Sequence, residues 1–131
     1  MKEHRIELRV RYKDTDQMGV MYYSNYLVWF EVGRTEFFRN EGLVYRDLEN
    51  THKVYLPVTE AHCRYKAPLR YDDTAVVVTR LAGMGRSRMT FEYIVLRNER
   101  EVTTGYTVHA FVTSEGRPVK IPSFIRDSFS G

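Results

Sequence analysis

The chain has 131 residues, of which 43% are apolar, 14% aromatic and 28% charged, a length and balance that describe one soluble globular domain spanning 1–131 and exclude two independent ones. Twenty Lys and Arg against seventeen Asp and Glu leave a net charge of +3; the basic residues are scattered, their densest group being Arg86-Ser87-Arg88, which argues against a nucleic-acid-binding stripe and for a modest anion-binding corner. With Cys63 as the lone cysteine, no leader and no apolar run of the ~18 residues a membrane helix needs, the expected setting is a reducing, cytoplasmic compartment.

Residues 4–12 alternate, with Ile6, Leu8, Val10 and Tyr12 on one face and Glu7, Arg9 and Arg11 on the other. That period of two predicts a half-buried strand. Asp14-Thr15-Asp16-Gln17-Met18-Gly19 is rich in turn formers and breaks it. From 24 to 41 the period becomes helical, through Leu27, Phe30, Arg34, Phe37 and Phe38, with Ser24 or Asn25 offering an N-cap oxygen and Gly42 standing just past the end. Apolar residues surround most of this helix, and Gly33 lies in its middle, where glycine costs about 1 kcal/mol relative to alanine. A buried helix approached closely by a neighbouring backbone or side chain accounts for both.

After a short turn at 45–49, the chain reads as strands over 54–65, 74–82, 87–96, 102–113 and, as a tail, 119–121. Pro68 with Asp72-Asp73, the Gly83-Met84-Gly85 stretch, residues 98–101 and Ser114-Glu115-Gly116 separate them. Hairpin spacing of this kind implies antiparallel neighbours, and the order β, long helix, then β-hairpins defines an α+β fold. Two architectures share that order. A cystatin-like fold lays one helix on a sheet; a hotdog fold wraps an antiparallel sheet around one long central helix. The apolar circumference and Gly33 favour the hotdog.

The break between the first strand and the helix concentrates the chemistry. A helix N-terminus offers unpaired N–H donors and partial positive charge that can polarise a carbonyl. Asp16 nearby is placed to attack that carbonyl or to activate water. The alternative is that Asp14 and Asp16 are turn formers only. A calcium loop fails, because Met18 and Asn25 stand where a ligand oxygen and a bidentate glutamate are required.

The stretch Asp14-Thr15-Asp16-x-x-Gly19-Val20-x-Tyr22-x-x-Asn25-Tyr26, followed by Glu31 and Arg34-Thr35-Glu36, resembles the signature of the 4-hydroxybenzoyl-CoA thioesterase-like hotdog family. It is most similar to the short bacterial acyl-CoA thioesterases of the Tol-Pal-associated branch. The likeness is dense over residues 10–42 and thinner later, where Lys120-Ile121-Pro122 resembles a family ending. It implies hydrolysis of an acyl-CoA thioester to the acid and free coenzyme A. Asp16 then corresponds to the catalytic carboxylate, as nucleophile or general base, and the Tyr23 backbone amide to the group that polarises the thioester carbonyl. Histidine is common at position 23 in the Tol-Pal branch, and the tyrosine here departs from it. Gly19, Tyr22 and Asn25 fall in the substrate-binding loop and helix start, and Pro57 and Val58 in a strand lining the acyl pocket. Arg86, Ser87 and Arg88 fall where the family holds the nucleotide end of coenzyme A, and arginine suits phosphate. The resemblance further implies a homodimer or a tetramer of two dimers, with sites at subunit interfaces, and no metal or redox cofactor.

The remaining candidates are weaker. His4, His52, His62 and His109 lack metal-ligand spacing and read as structural. Cys63 reads as a small, partly buried hydrophobe. Two rivals stay open from the residues alone: a non-catalytic acyl-binding hotdog or cystatin-like module, and a hotdog dehydratase, for which a histidine at the helix entry is missing.

Overall fold

The computed structural model describes residues 2–130. Five strands, β1 (Glu3–Arg9), β2 (Val58–Tyr65), β3 (Thr74–Met84), β4 (Arg88–Arg97) and β5 (Arg100–Ala110), form one antiparallel sheet in the order β1-β3-β4-β5-β2. The long helix α1 (Asn25–Asn40) lies against it; α2 (Tyr45–Asn50) and α3 (Ser123–Ser130) close one end. This is the hotdog arrangement, a sheet curved around its central helix.

The physical reasons for α1 are visible residue by residue. Tyr26, Trp29, Phe30, Gly33, Phe37 and Phe38 are buried on it. A Cβ at Gly33 would stand 2.5 Å from Thr79 Oγ1 and 3.1 Å from Val77 Cγ1, so β3 occupies the space a side chain would need. Glycine there permits the close helix–sheet packing. Gly42, at φ +83°, ends the helix: its N–H bonds Arg39 O at 3.0 Å and the N–H of Leu43 bonds Phe38 O at 2.9 Å, a Schellman closure. The N-terminus differs from expectation. Neither Ser24 nor Asn25 caps with its side chain; Ser24 is already helical at φ −74° and ψ −16°, because a turn from Tyr22 O to Asn25 N (2.9 Å) leads directly into the helix.

All seven phenylalanines are buried or pack against the core. Phe30 stacks on Tyr93 with ring centroids 4.2 Å apart, and Phe129 meets Phe37 and Phe38 edge-on at 5.2 and 5.1 Å. Each such pair contributes about 0.5–1.5 kcal/mol beyond its buried area. Tyrosines divide otherwise: Tyr12, Tyr22, Tyr23, Tyr65 and Tyr71 are exposed, four of them around the loop that enters α1.

Several boundaries move. β1 stops at Arg9, and Tyr12 lies in a 3-10 turn (Tyr12–Asp14) with its ring 80% exposed. The segment predicted as one strand from Val54 becomes β2 only at Val58; Tyr55 makes an isolated bridge to Val112. β3 runs through the Gly83 break by way of a bulge between Leu81 and Gly83. The β4–β5 turn shrinks to Asn98-Glu99, both at positive φ (51° and 63°), the geometry of a two-residue hairpin, so β5 starts at Arg100. The predicted 119–121 strand is absent. Those residues run alongside the sheet's end through Val119 N to Phe111 O and Ile121 N to Arg86 O, and the chain finishes in α3.

Candidate active site

The loop from Asp14 to Tyr23 is built on its own backbone. Asp14 is 4% exposed and is no solvated turn former: its Oδ2 accepts the Arg11 N–H at 2.8 Å, and its carbonyl accepts the Tyr22 N–H at 2.8 Å. Asp16 N bonds Val20 O and Gly19 N bonds Asp16 O, both at 2.9 Å, closing a tight loop that requires Gly19 at φ +79°. Within that loop Asp16 Oδ1 accepts the N–H groups of Met18 at 2.8 Å and Val20 at 3.4 Å. Among the described residues, Oδ2 has no partner.

Asp16 lines a cleft of about 320 Å³ with Val20, Met21, Tyr23, Tyr26 and Tyr65. Tyr65, at the end of β2, donates its hydroxyl to Tyr23 O at 2.9 Å, and its ring meets Tyr26 edge-on at 5.3 Å. Burial against this wall, with the neighbouring Cys63 thiol, pushes the Tyr65 hydroxyl up to about 12. Burial likewise raises Tyr26, and the adjacent Tyr23 hydroxyl raises Tyr22. These phenols therefore stay neutral beside Asp16. Among the described residues, no hydrogen bond occupies the N–H of Tyr23. The Asn25 Nδ2 is buried and has no partner among the described residues.

The other expected site residues are elsewhere. Val58 opens β2, paired with His109 at the far end of that strand from Tyr65, and the Pro57 carbonyl accepts the Ala110 N–H at 3.3 Å. Arg86 and Ser87 lie in the β3–β4 connection at the same far end, and Arg88 opens β4. From Tyr65, which shares the cleft with Asp16, to Val58, β2 advances roughly 23 Å. One chain thus gathers Asp16, Gly19, Tyr22, Tyr23 and Asn25 at one pole, and Pro57, Val58 and the three β3–β4 residues at the other. Arg86 and Arg88 have no acidic partner among the described residues. Two cations that sequence reasoning missed, Arg117 and Lys120, stand on the segment hydrogen-bonded alongside this connection. Their only sequence signal was proximity to the Lys120-Ile121-Pro122 ending.

Cys63 is half-buried, and burial raises its thiol, as for an inert hydrophobe. Among the described residues, no cluster of His, Cys, Asp or Glu is arranged to hold a metal, and no helix is long and apolar enough to cross a membrane.

A second polar feature crosses the core. His109 Nδ1 donates to Leu56 O at 3.0 Å, so Nε2 must accept from the Thr107 hydroxyl at 2.8 Å. Thr107 then accepts from the Tyr93 hydroxyl at 2.7 Å, and Tyr93 from Arg34 Nη1 at 3.5 Å. Direction is fixed along the whole chain. Burial drives His109 down to about 4, with the nearby Arg34 charge acting the same way, and burial raises Tyr93. His109 is neutral in the folded protein but binds a proton below about 6.5 when unfolded. Stability is therefore full above pH 6.5 and declines as pH falls toward 4, by about 3 kcal/mol in all. Urea unfolding between pH 7 and 4 is expected to show this slope in the wild type and to lose most of it in His109→Asn; equal slopes would refute the assignment.

The chain is an α+β hotdog in which Asp16 and Tyr23 line one cleft. The sequence pattern of the thioesterase-like superfamily matches residues 10–129, and the chain belongs to that superfamily. It is 40% identical over 97 residues to the Bacillus subtilis protein YneP, covering 74% of this chain and 70% of that one. Against the acyl-CoA thioesterase of Haemophilus influenzae it is 28% identical over 123 residues, covering 93% and 90%. A solved gentisyl-coenzyme A thioesterase superposes with a TM-score of 0.90 at 25% identity, over 97% of this chain and 100% of that one.

Proposed function

We propose that this chain is an acyl-CoA thioesterase, releasing a carboxylic acid and free coenzyme A. The observation that carries the reading is the pairing, in one cleft, of the free Tyr23 N–H with the unengaged oxygen of Asp16. The amide receives the thioester carbonyl and stabilises the oxyanion as it develops. Asp16 either attacks the carbonyl carbon, expelling the thiolate and leaving an anhydride that water resolves, or takes the proton of the attacking water. Gly19, Tyr22 and Asn25 shape the entrance. No metal or redox cofactor takes part.

The distribution of the remaining residues supports a site shared between two copies. β2 is an edge strand, and seven of its eight residues are exposed. Antiparallel pairing of two such edges about a two-fold axis reverses the strand ends, so that Pro57 and Val58 of one copy approach Tyr65 and Asp16 of the other. The cations of the β3–β4 connection then lie on the same side as the foreign carboxylate and receive the phosphates of coenzyme A. We read the assembly as a homodimer, or two dimers in a tetramer. Membership of the Tol-Pal-associated branch is the finer part of the proposal, and it rests on the signature over residues 14–36.

A thiol-release assay across aliphatic and aromatic acyl-CoA esters tests the reading. Turnover of at least one ester with kcat/KM above about 10⁴ M⁻¹s⁻¹ is expected. Binding without thiol release from any ester would make the chain a binding module. Hydration of an enoyl ester without thiol would make it a dehydratase.

A further inference from the structure

Arg34 brings a full positive charge to the seam between α1 and β2 without a counterion. Its Nε is buried and unpartnered, its Nη1 makes only the long bond to Tyr93, and it joins no ion pair among the described residues. Glu31, one turn earlier on the same cleft, does not reach it. The chain behind it, Tyr93, Thr107 and His109, is neutral throughout and cannot compensate. A partly buried charge in that condition is unfavourable until an anion arrives, and a guanidinium held from behind is suited to a carboxylate.

The cleft before Arg34 measures about 330 Å³, and its walls are Leu27, Val28, Val58 and Ala61. It lies on the same seam as Asp16. Tyr26 meets Tyr65, and Phe30 closes on Gly105, which pairs with Cys63. Arg34 reaches Thr107 through Tyr93, and Thr107 pairs with Ala61. From Tyr65 to Ala61 the strand advances ~13 Å. An acyl chain of about twelve carbons that starts at Asp16 and follows β2 past Cys63 to Ala61 would span this distance.

We propose that Arg34 receives a carboxylate at the far end of the acyl group, so that the preferred substrates are coenzyme A thioesters of dicarboxylic acids. The assignment rests on the thioesterase reading above. It makes Arg34 a specificity-determining residue rather than a structural one.

The test compares dodecanedioyl-CoA with dodecanoyl-CoA, chains long enough to span the ~13 Å. Wild type is expected to favour the carboxylated ester by about tenfold or more in kcat/KM, Arg34→Met to lose that preference, and Arg34→Lys to keep part of it. Equal use of both esters by the wild type, or a preference that survives in Arg34→Met, overturns the proposal. So does a missing preference combined with a changed oligomeric state in sedimentation, which assigns the counterion to a second copy. If Arg34→Met does not fold, the wild-type ester pair and Arg34→Lys still decide. Calorimetric titration of both esters separates this claim from the one beneath it. Arg34-dependent discrimination in binding without turnover removes only the thioesterase reading; turnover without discrimination removes only the role of Arg34.

Discussion

Asp16→Asn is expected to lower kcat by about 10²–10⁴-fold, the range of a lost general base, while the loop keeps its shape. Asparagine retains an oxygen where Oδ1 accepts the Met18 and Val20 amides, so the contacts that close the turn survive. What disappears is the second oxygen, the one with no partner in the loop. An NH₂ there can neither attack a carbonyl nor accept a proton. Unfolding midpoints within about 0.5 kcal/mol of wild type, together with little change in KM, separate a chemical loss from a structural one. Undiminished hydrolysis by this variant would remove Asp16 from the mechanism.

The largest effect on stability is expected at Gly105. A Cβ built there collides with the carbonyl oxygen of His62 and stands 2.6 and 2.9 Å from Phe30 Cε2 and Cζ. Neither neighbour can retreat. His62 O belongs to the backbone of the paired strand, and Phe30 is fully buried and stacked on Tyr93. Gly105→Ala should therefore lose about 3 kcal/mol or fail to fold, at or beyond the upper end of core overpacking. Gly83→Ala is the control: nothing lies within 4 Å of its added Cβ, and a change under about 0.5 kcal/mol is expected for such a surface site. Equal urea midpoints for the two variants would contradict the packing argument.

Gly33 and Gly105 both sit in regular elements, yet only Gly33 was legible as a close approach. A glycine inside a helix is anomalous by propensity; one inside a strand reads first as a bulge or weak point, and nothing near Gly105 names the phenylalanine that closes over it. Periodicity served wherever one face is wet and the other dry. It located β1 and α1, and it set the start of β2 four residues early, at Val54, because residues exposed on both faces mark no boundary. The last helix was missed because Ser123–Ser130 buries only Ile125 and Phe129, too few apolar positions to distinguish a short helix from a strand tail. The family signature singled out Asp16, but turn propensity treats Asp14 and Asp16 alike; packing is what buries the first and leaves an oxygen of the second free. The loop motif marked one pole of the site, while the placement of Pro57, Val58 and Arg86–Arg88 at the other pole depends on strand order, which local sequence does not encode.

The open flank of β2 has a consequence for the isolated chain. Its amide and carbonyl groups on that side are unsatisfied by β5, and Val58 and Tyr65 flank them with apolar surface. Such a rim accepts any extended segment that approaches it, native or not, and so templates aggregation. Colloidal behaviour is then governed by the population of solitary chains, and whatever shields this flank acts as a solubility device as much as a structural one.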